Sequence, residues 1–323
     1  MESQAWGAVP WSMSSHGAKS ILHKHQVPYT PNSNALQNVD IWIPNPENAI
    51  KEVPEPDCMP VTQGLWIIYI HGGAWRDPIV TSSSFEATVS NLVTSHPDTL
   101  AQVGGIASIN YSLTPRSTDP NDPSYTEDSS RQAKHPDHII DVLTALSYLQ
   151  HKAKFGSNYI LLGHSCGATL AFQVAMSHSK WTSTATALKV AKPMTVVGLN
   201  GLYDMPRLIR EPGEKHTHLQ VLYEAFTRLA FGNDETVWNA ISPISVDDWA
   251  TEWPECKIIV MVQSKEDTLV PYRQLADMKA NLESSKAGSI NLKELDASGD
   301  HNDLWKEGHR LAEIMTEVVS ASV

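Results

Sequence analysis

From residue 39 onward, short apolar runs alternate with longer segments of helical period. Val39–Ile43 (VDIWI) has the alternation of a strand and stops at Pro44. Leu65–Ile70 (LWIIYI) is apolar throughout and rich in branched and aromatic residues, which suits a strand covered on both faces. Gly105–Tyr111, Tyr159–Leu162, Met194–Leu199, Lys257–Val262 and Ile290–Leu295 read as further strands. Between them, Phe85–Val93, His135–Ala153, Gly167–Ser177, Leu219–Phe231, Tyr272–Glu283 and Glu307–Val319 read as helices. The clearest has Ile139, Val142, Leu143, Leu146 and Leu149 at steps of three or four, one face of an amphipathic helix. Strands alternating with helices predict the α/β class, with a mostly parallel central sheet flanked by helices.

Two stretches break the alternation. Residues 45–60 carry prolines at 46, 54, 56 and 60 and read as a polar surface linker. Residues 114–133 are polar, with Pro115, Pro120 and Pro123, and loops of this length often serve as flaps. The expected organisation is an N-terminal segment over 1–38, partly irregular, and one domain over 39–323. That domain carries the flap and a small helical cap at about 204–250.

Composition narrows the function. With 41% hydrophobic residues the chain can build a substantial core. Its longest apolar runs fall far short of the ~20 residues of a membrane helix. A net charge of −12 repels phosphate backbones and anionic lipid, so neither nucleic acid nor a membrane is an expected partner. The first residues lack the basic-then-apolar pattern of a secretory leader, and Cys58, Cys166 and Cys256 form no disulfide or zinc framework. A cytoplasmic protein is expected. No phosphate-binding glycine motif and no metal-ligand spacing stand out, so neither cofactor nor metal is expected.

The sharpest motif is Gly163-His164-Ser165-Cys166-Gly167, placed after the strand YILL and before the helix ATLAFQVAMS. A strand-to-helix turn with glycines two residues either side of a serine is a nucleophile elbow. His71-Gly72-Gly73-Ala74-Trp75 follows LWIIYI. Adjacent glycines there can aim N–H groups at one point, as an oxyanion hole requires, with the N–H of Cys166 as a third donor. Cys166 lies one residue past the elbow apex, and a small buried thiol is its simpler role. Serine needs a base and the base an orienting acid, which follow an elbow of this kind in the order acid, then histidine. Asp267, in SKEDTLVP after KIIVMV, is the preferred acid over the adjacent Glu266 and the earlier Asp204. His301, in SGDHN between INLKEL and the last helix, is the preferred base over His309, which falls inside that helix.

On these residues the chain resembles the α/β-hydrolase superfamily, in its hormone-sensitive-lipase-like branch. More closely it resembles the fungal-type kynurenine formamidase (arylformamidase) family. The matching pieces are DIWIP at 40–44, HGGAW at 71–75, GHSCGATLAFQ at 163–173, GLYD at 201–204, SKEDTLVP at 264–271 and DHNDLW at 300–305. The resemblance implies hydrolysis of N-formyl-L-kynurenine to formate and L-kynurenine, in tryptophan catabolism and de novo NAD synthesis. It implies Ser165 as nucleophile, Asp267 as acid, His301 as base, and Gly72, Gly73 and Cys166 as oxyanion donors. His71, Trp75, Tyr203, Asn302 and Trp305 are the expected pocket residues, with Trp75 narrowing the acyl side. Arg76 and Arg116 stand as open candidates for the substrate carboxylate. The expected partner is a small molecule, and a homodimer is allowed. Two other readings share the motifs. One is a carboxylesterase of the same branch. The other is a non-catalytic binding protein on this fold, against which Ser165, Asp267 and His301 are all present.

Overall fold

The computed structural model describes residues 6–16, 19–45, 49–181, 188–284 and 291–322. Their strands are β1 (Ser12–His16), β2 (Lys19–Pro28), β3 (Asn38–Asn45), β4 (Leu65–Ile70), β5 (Val103–Ile109), β6 (Tyr159–His164), β7 (Thr195–Leu199), β8 (Ile258–Ser264) and β9 (Asn291–Ala297). They form one sheet in the order β1-β2-β3-β5-β4-β6-β7-β8-β9. β1, β2 and β3 run antiparallel to their neighbours, and β5 through β9 are parallel. The protein has the α/β-hydrolase fold. The expected start of the last strand, Ile290, lies outside the described residues.

β4 shows why an unbroken apolar run belongs at the centre. All six of its residues are buried. Trp66, Ile68 and Ile70 enter the core on one face, and Leu65, Ile67 and Tyr69 enter the core on the other. The principal helices are α1 (Glu86–Ser95), α2 (Asp137–Ala153), α3 (Cys166–Ala175), α4 (Met205–Arg210), α5 (Gln220–Phe231), α6 (Glu235–Ile241), α7 (Arg273–Ser284) and α8 (His309–Ser322). Helices α2 and α3 cover one face with Ile139, Val142, Leu146 and Leu170, while α1 and α8 cover the other with Val89, Leu92, Leu311 and Val318. The last helix was expected to start at Glu307. Instead a short helix, Asp303–Glu307, ends at Gly308, which takes φ +71° and lies against the backbone of Ala87.

The N-terminal segment holds two strands that the sequence pattern does not predict. Ser12–His16 and Lys19–Pro28 are strands that extend the sheet by two. The pattern hides them because polar side chains of β2 are buried. Lys24 is fully covered, its Nζ donating to the carbonyls of Trp6 (2.5 Å) and Val9 and lying 4.4 Å from the Trp6 ring. Burial, with Lys152 nearby, lowers its pKa to about 8. Trp6 and Trp11 then tie down the linker, their indole N–H groups donating to the carbonyls of Asp57 and Cys58. Among the described residues, no helix is long and apolar enough to cross a membrane.

Candidate active site

The elbow is built by close packing. Ser165 sits between β6 and α3 with φ +56° and ψ −122°, a conformation that costs a non-glycine residue strain energy. A Cβ on Gly163 would collide with the backbone of Gly167, and one on Gly167 with the carbonyls of Ile70 and His71. Both positions therefore require glycine. The Ser165 N–H donates to the Leu199 carbonyl at 2.8 Å, which ties the strained residue to β7.

The candidate acid and base come from the loops after β8 and β9. Asp267 Oδ2 is 2.8 Å from His301 Nδ1, and both side chains are almost entirely buried. Asp267 Oδ1 accepts the N–H groups of Leu269 and Val270 at 2.8 Å each, which fixes the carboxylate's orientation. The two loops are stitched together. Thr268 donates from its N–H and its hydroxyl to Asp300 Oδ1, Gly299 N–H donates to Glu266, and Ser264 Oγ donates to the Gly299 carbonyl. Glu266, the rival acid, is thus bound to the histidine loop's backbone rather than to an imidazole. Asp204, the other rival, caps α4 by accepting the Arg207 N–H. His309 is exposed at the start of α8. The His301 carbonyl accepts from Asn200 Nδ2 (3.0 Å) and pairs with His164 Nε2 (2.8 Å). Asn200, His164 and Asp300 are supporting residues that the motifs alone do not announce.

The His71–Trp75 turn lies against the elbow. A Cβ on Gly72 would meet His164 and Ser165 at 2.8–3.1 Å. Gly73 takes φ +95°, and outside helices and strands its N–H donates to no backbone carbonyl among the described residues. Cys166 opens α3, so its N–H has no partner within the helix. Its thiol is fully buried, accepts the Trp75 N–H at 3.3 Å and lies 3.6 Å from Tyr111 Oη. Burial pushes this thiol up to about 11, so it is a neutral packing group at physiological pH.

Ser165 and His301 open together into a cavity of about 400 Å³. Of the expected pocket residues, Asn302 also lines it. The other four expected pocket residues do not. Ala74 and Trp75 both take positive φ (+50° and +59°), and the turn drops the indole into the core against Phe231 (4.8 Å) and Phe226 (5.9 Å). Tyr203 packs edge-on against Phe172 in the core. His71 stacks on Tyr111 at 4.4 Å, its Nδ1 2.9 Å from the Gly72 carbonyl, and burial lowers its pKa to about 4. Trp305 is half-buried and donates to Asn302 Oδ1 at 3.1 Å. The cavity wall comes instead from Leu219, Leu222, Tyr223 and Phe226 at the cap, with Leu202, Leu269 and Val270. Tyr223 Oη donates to the Leu269 carbonyl at 2.9 Å, and His216 Nε2 lies 3.1 Å from the Asp267 carbonyl, so the cap is anchored to the acid's own loop.

One group among the described residues has metal-ligand proximity. His23, His25 and Asp40 bring one donor atom each within 4.8 Å of one another, at the β2–β3 edge and outside the cavity lining. Asp40 is already satisfied there by both imidazoles, the Gln26 N–H and the Ser82 hydroxyl.

The chain is similar to known proteins in sequence and in fold. The BD-FAE family model matches residues 60–282. The kynurenine formamidase-like hydrolase fscH of Fusarium equiseti is 38% identical over 304 residues, 92% of this chain and 95% of that protein. The kynurenine formamidase avaC of Aspergillus versicolor is 32% identical over 254 residues, 75% of this chain and 84% of that protein. Among solved structures, esterase B of a Lactobacillus superposes with a TM-score of 0.64 at 14% identity, covering 99% of this chain and 90% of that one. That likeness shows the fold, and the relatives show the family. The chain is a hydrolase that belongs to the BD-FAE family of α/β-hydrolases, in its kynurenine formamidase branch.

Proposed function

We propose that the protein hydrolyses the formamide of N-formyl-L-kynurenine, giving L-kynurenine and formate, as a step of tryptophan catabolism that feeds NAD synthesis. The observation that carries the reading is the buried Asp267–His301 hydrogen bond of 2.8 Å, set beside a strained serine that opens into the same cavity. The names of the relatives add the substrate.

In this reading Ser165 Oγ attacks the formyl carbon while His301 Nε2 takes its proton. Asp267 holds the imidazole through Nδ1 and stabilises the imidazolium. The tetrahedral oxyanion meets the N–H groups of Gly73 and Cys166, with Gly72 at the same turn, and the N-terminal end of α3 adds its dipole. Collapse breaks the C–N bond, and His301 returns its proton to the aniline nitrogen of departing kynurenine. Water, deprotonated by His301, then attacks the formyl ester on Ser165 and releases formate. The apolar cap wall suits an aromatic ring. The three free thiols suit a reducing, cytoplasmic setting.

The test compares kcat/KM for N-formyl-L-kynurenine with that for short p-nitrophenyl esters. A value at least comparable to the best ester supports the reading. Good ester turnover with no formamide cleavage overturns it.

A further inference from the structure

The cavity has one charged wall. Its lining carries two guanidinium groups, Arg76 and Arg116, against one carboxylate, Asp77. It therefore bears a positive charge in a chain whose net charge is −12. The two cations are not equivalent. Arg116 Nη2 lies 2.9 Å from Asp77 Oδ1, and that side chain is well exposed. Its charge is already answered. Arg76 is half-buried and makes no ion pair and no side-chain hydrogen bond among the described residues. Burial, and then Arg116 beside it, outweigh the attraction of Asp77 and hold its guanidinium below the ordinary arginine value. A partly desolvated cation facing a cavity, whose neighbouring carboxylate Asp77 is already hydrogen-bonded to Arg116, is stabilised by an incoming anion. Its position is fixed by the backbone. The N–H groups of Arg76 and Asp77 both donate to the Gly73 carbonyl, at 3.0 and 2.9 Å, so Arg76 rides on the turn that also presents the Gly73 N–H.

We propose that Arg76 binds the carboxylate of the substrate, and that Arg116, committed to Asp77, does not. The inference rests on the formamidase reading and extends it to a ligand class: amino-acid formamides that carry a free carboxylate on the side chain beside the scissile group. The guanidinium fork pairs with a carboxylate through two parallel hydrogen bonds, while the apolar cap wall takes the ring.

The test uses two substrates, N-formyl-L-kynurenine and its decarboxylated counterpart N-formylkynuramine. The wild-type protein should prefer the carboxylate-bearing substrate in kcat/KM. In Arg76→Ala the ratio of the two kcat/KM values should fall about 10–100-fold, the scale of a charged hydrogen-bonded contact, and the change should reside in KM. Arg76→Lys should recover part of the ratio, and Arg116→Ala should change it less than Arg76→Ala. Because the ratio is read within one protein, a loss of folded material cancels. An unchanged ratio in Arg76→Ala, with the formamides still cleaved, overturns the carboxylate assignment alone. Wild-type protein that cleaves neither formamide overturns the formamidase reading and this assignment with it.

Discussion

The two walls of the cavity are built on different principles. The wall of Ser165, Gly73 and His301 is held by backbone geometry and a dense set of hydrogen bonds. The strained elbow, the paired N–H groups on Asp267 and the Thr268–Asp300 stitch each fix an atom in place. The facing wall, Leu219, Leu222, Tyr223 and Phe226, comes from the segment between β7 and β8 and is mainly apolar contact. Leu222 and Leu269 remain substantially exposed at its rim. The difference teaches where specificity resides. In the proposed reading the rigid wall performs acyl transfer on whatever reaches it, and the apolar wall together with Arg76 selects what reaches it.

Substitutions on the rigid wall should therefore act on kcat, and those on the cap wall on KM. The largest effect is expected from Ser165→Ala, on the order of 10⁶-fold in kcat, with the melting temperature retained because the glycines of the elbow are unchanged. Residual turnover within tenfold of wild type would break the comparison at its base. Asp267→Asn should cost about 10⁴-fold in kcat, since the amide favours the wrong imidazole tautomer, with KM little affected. A KM effect alone would place Asp267 outside the chemistry.

Acid should weaken the rigid side through its buried imidazoles. His71, His138 and His164 are buried, and burial lowers the pKa of His71 to about 4, of His138 to about 3 and of His164 well below its ordinary value. The unfolded chain binds these protons near pH 6.5, and the folded protein does not until well below that. Unfolding therefore takes up protons, and the stability these groups contribute is complete above about pH 6.5 and is lost as pH falls from there toward 4. Thermal melts across that range should show a steady fall in melting temperature, and a flat profile would contradict the burial of these rings. The smallest effect is expected at the rim. Leu222→Ser should raise KM about 3–10-fold with kcat nearly unchanged, since an exposed apolar contact contributes only part of a buried side chain's transfer free energy.

The same contrast explains what could be read from the sequence. The elbow, the HGG turn and the acid and histidine loops are local: a few adjacent residues carry the whole geometric requirement, as the collisions at Gly163 and Gly167 make plain. β4 was readable for the same reason, because burial on both faces leaves a continuous apolar run. β1 and β2 were not. Their binary pattern is broken by Lys24, buried polar head and all beneath Trp6 and Trp11, which are distant in sequence. Trp75 was misplaced because side-chain direction depends on backbone handedness. Two successive left-handed residues turn the indole away from the cavity that its neighbours Gly73 and Ala74 line. The distinction between Arg76 and Arg116 depends on which one Asp77 engages, a contact across 39 residues that no spacing rule reveals.

The central claim is that Ser165, not the neighbouring thiol of Cys166, attacks the formamide carbon. A fluorophosphonate probe followed by peptide mapping tests it most directly. The account predicts one covalent adduct, on Ser165, with formylkynurenine hydrolysis lost in proportion to labelling and Cys166 unmodified. An adduct on Cys166 or another residue that abolishes activity, or full activity in protein labelled at Ser165, would contradict it.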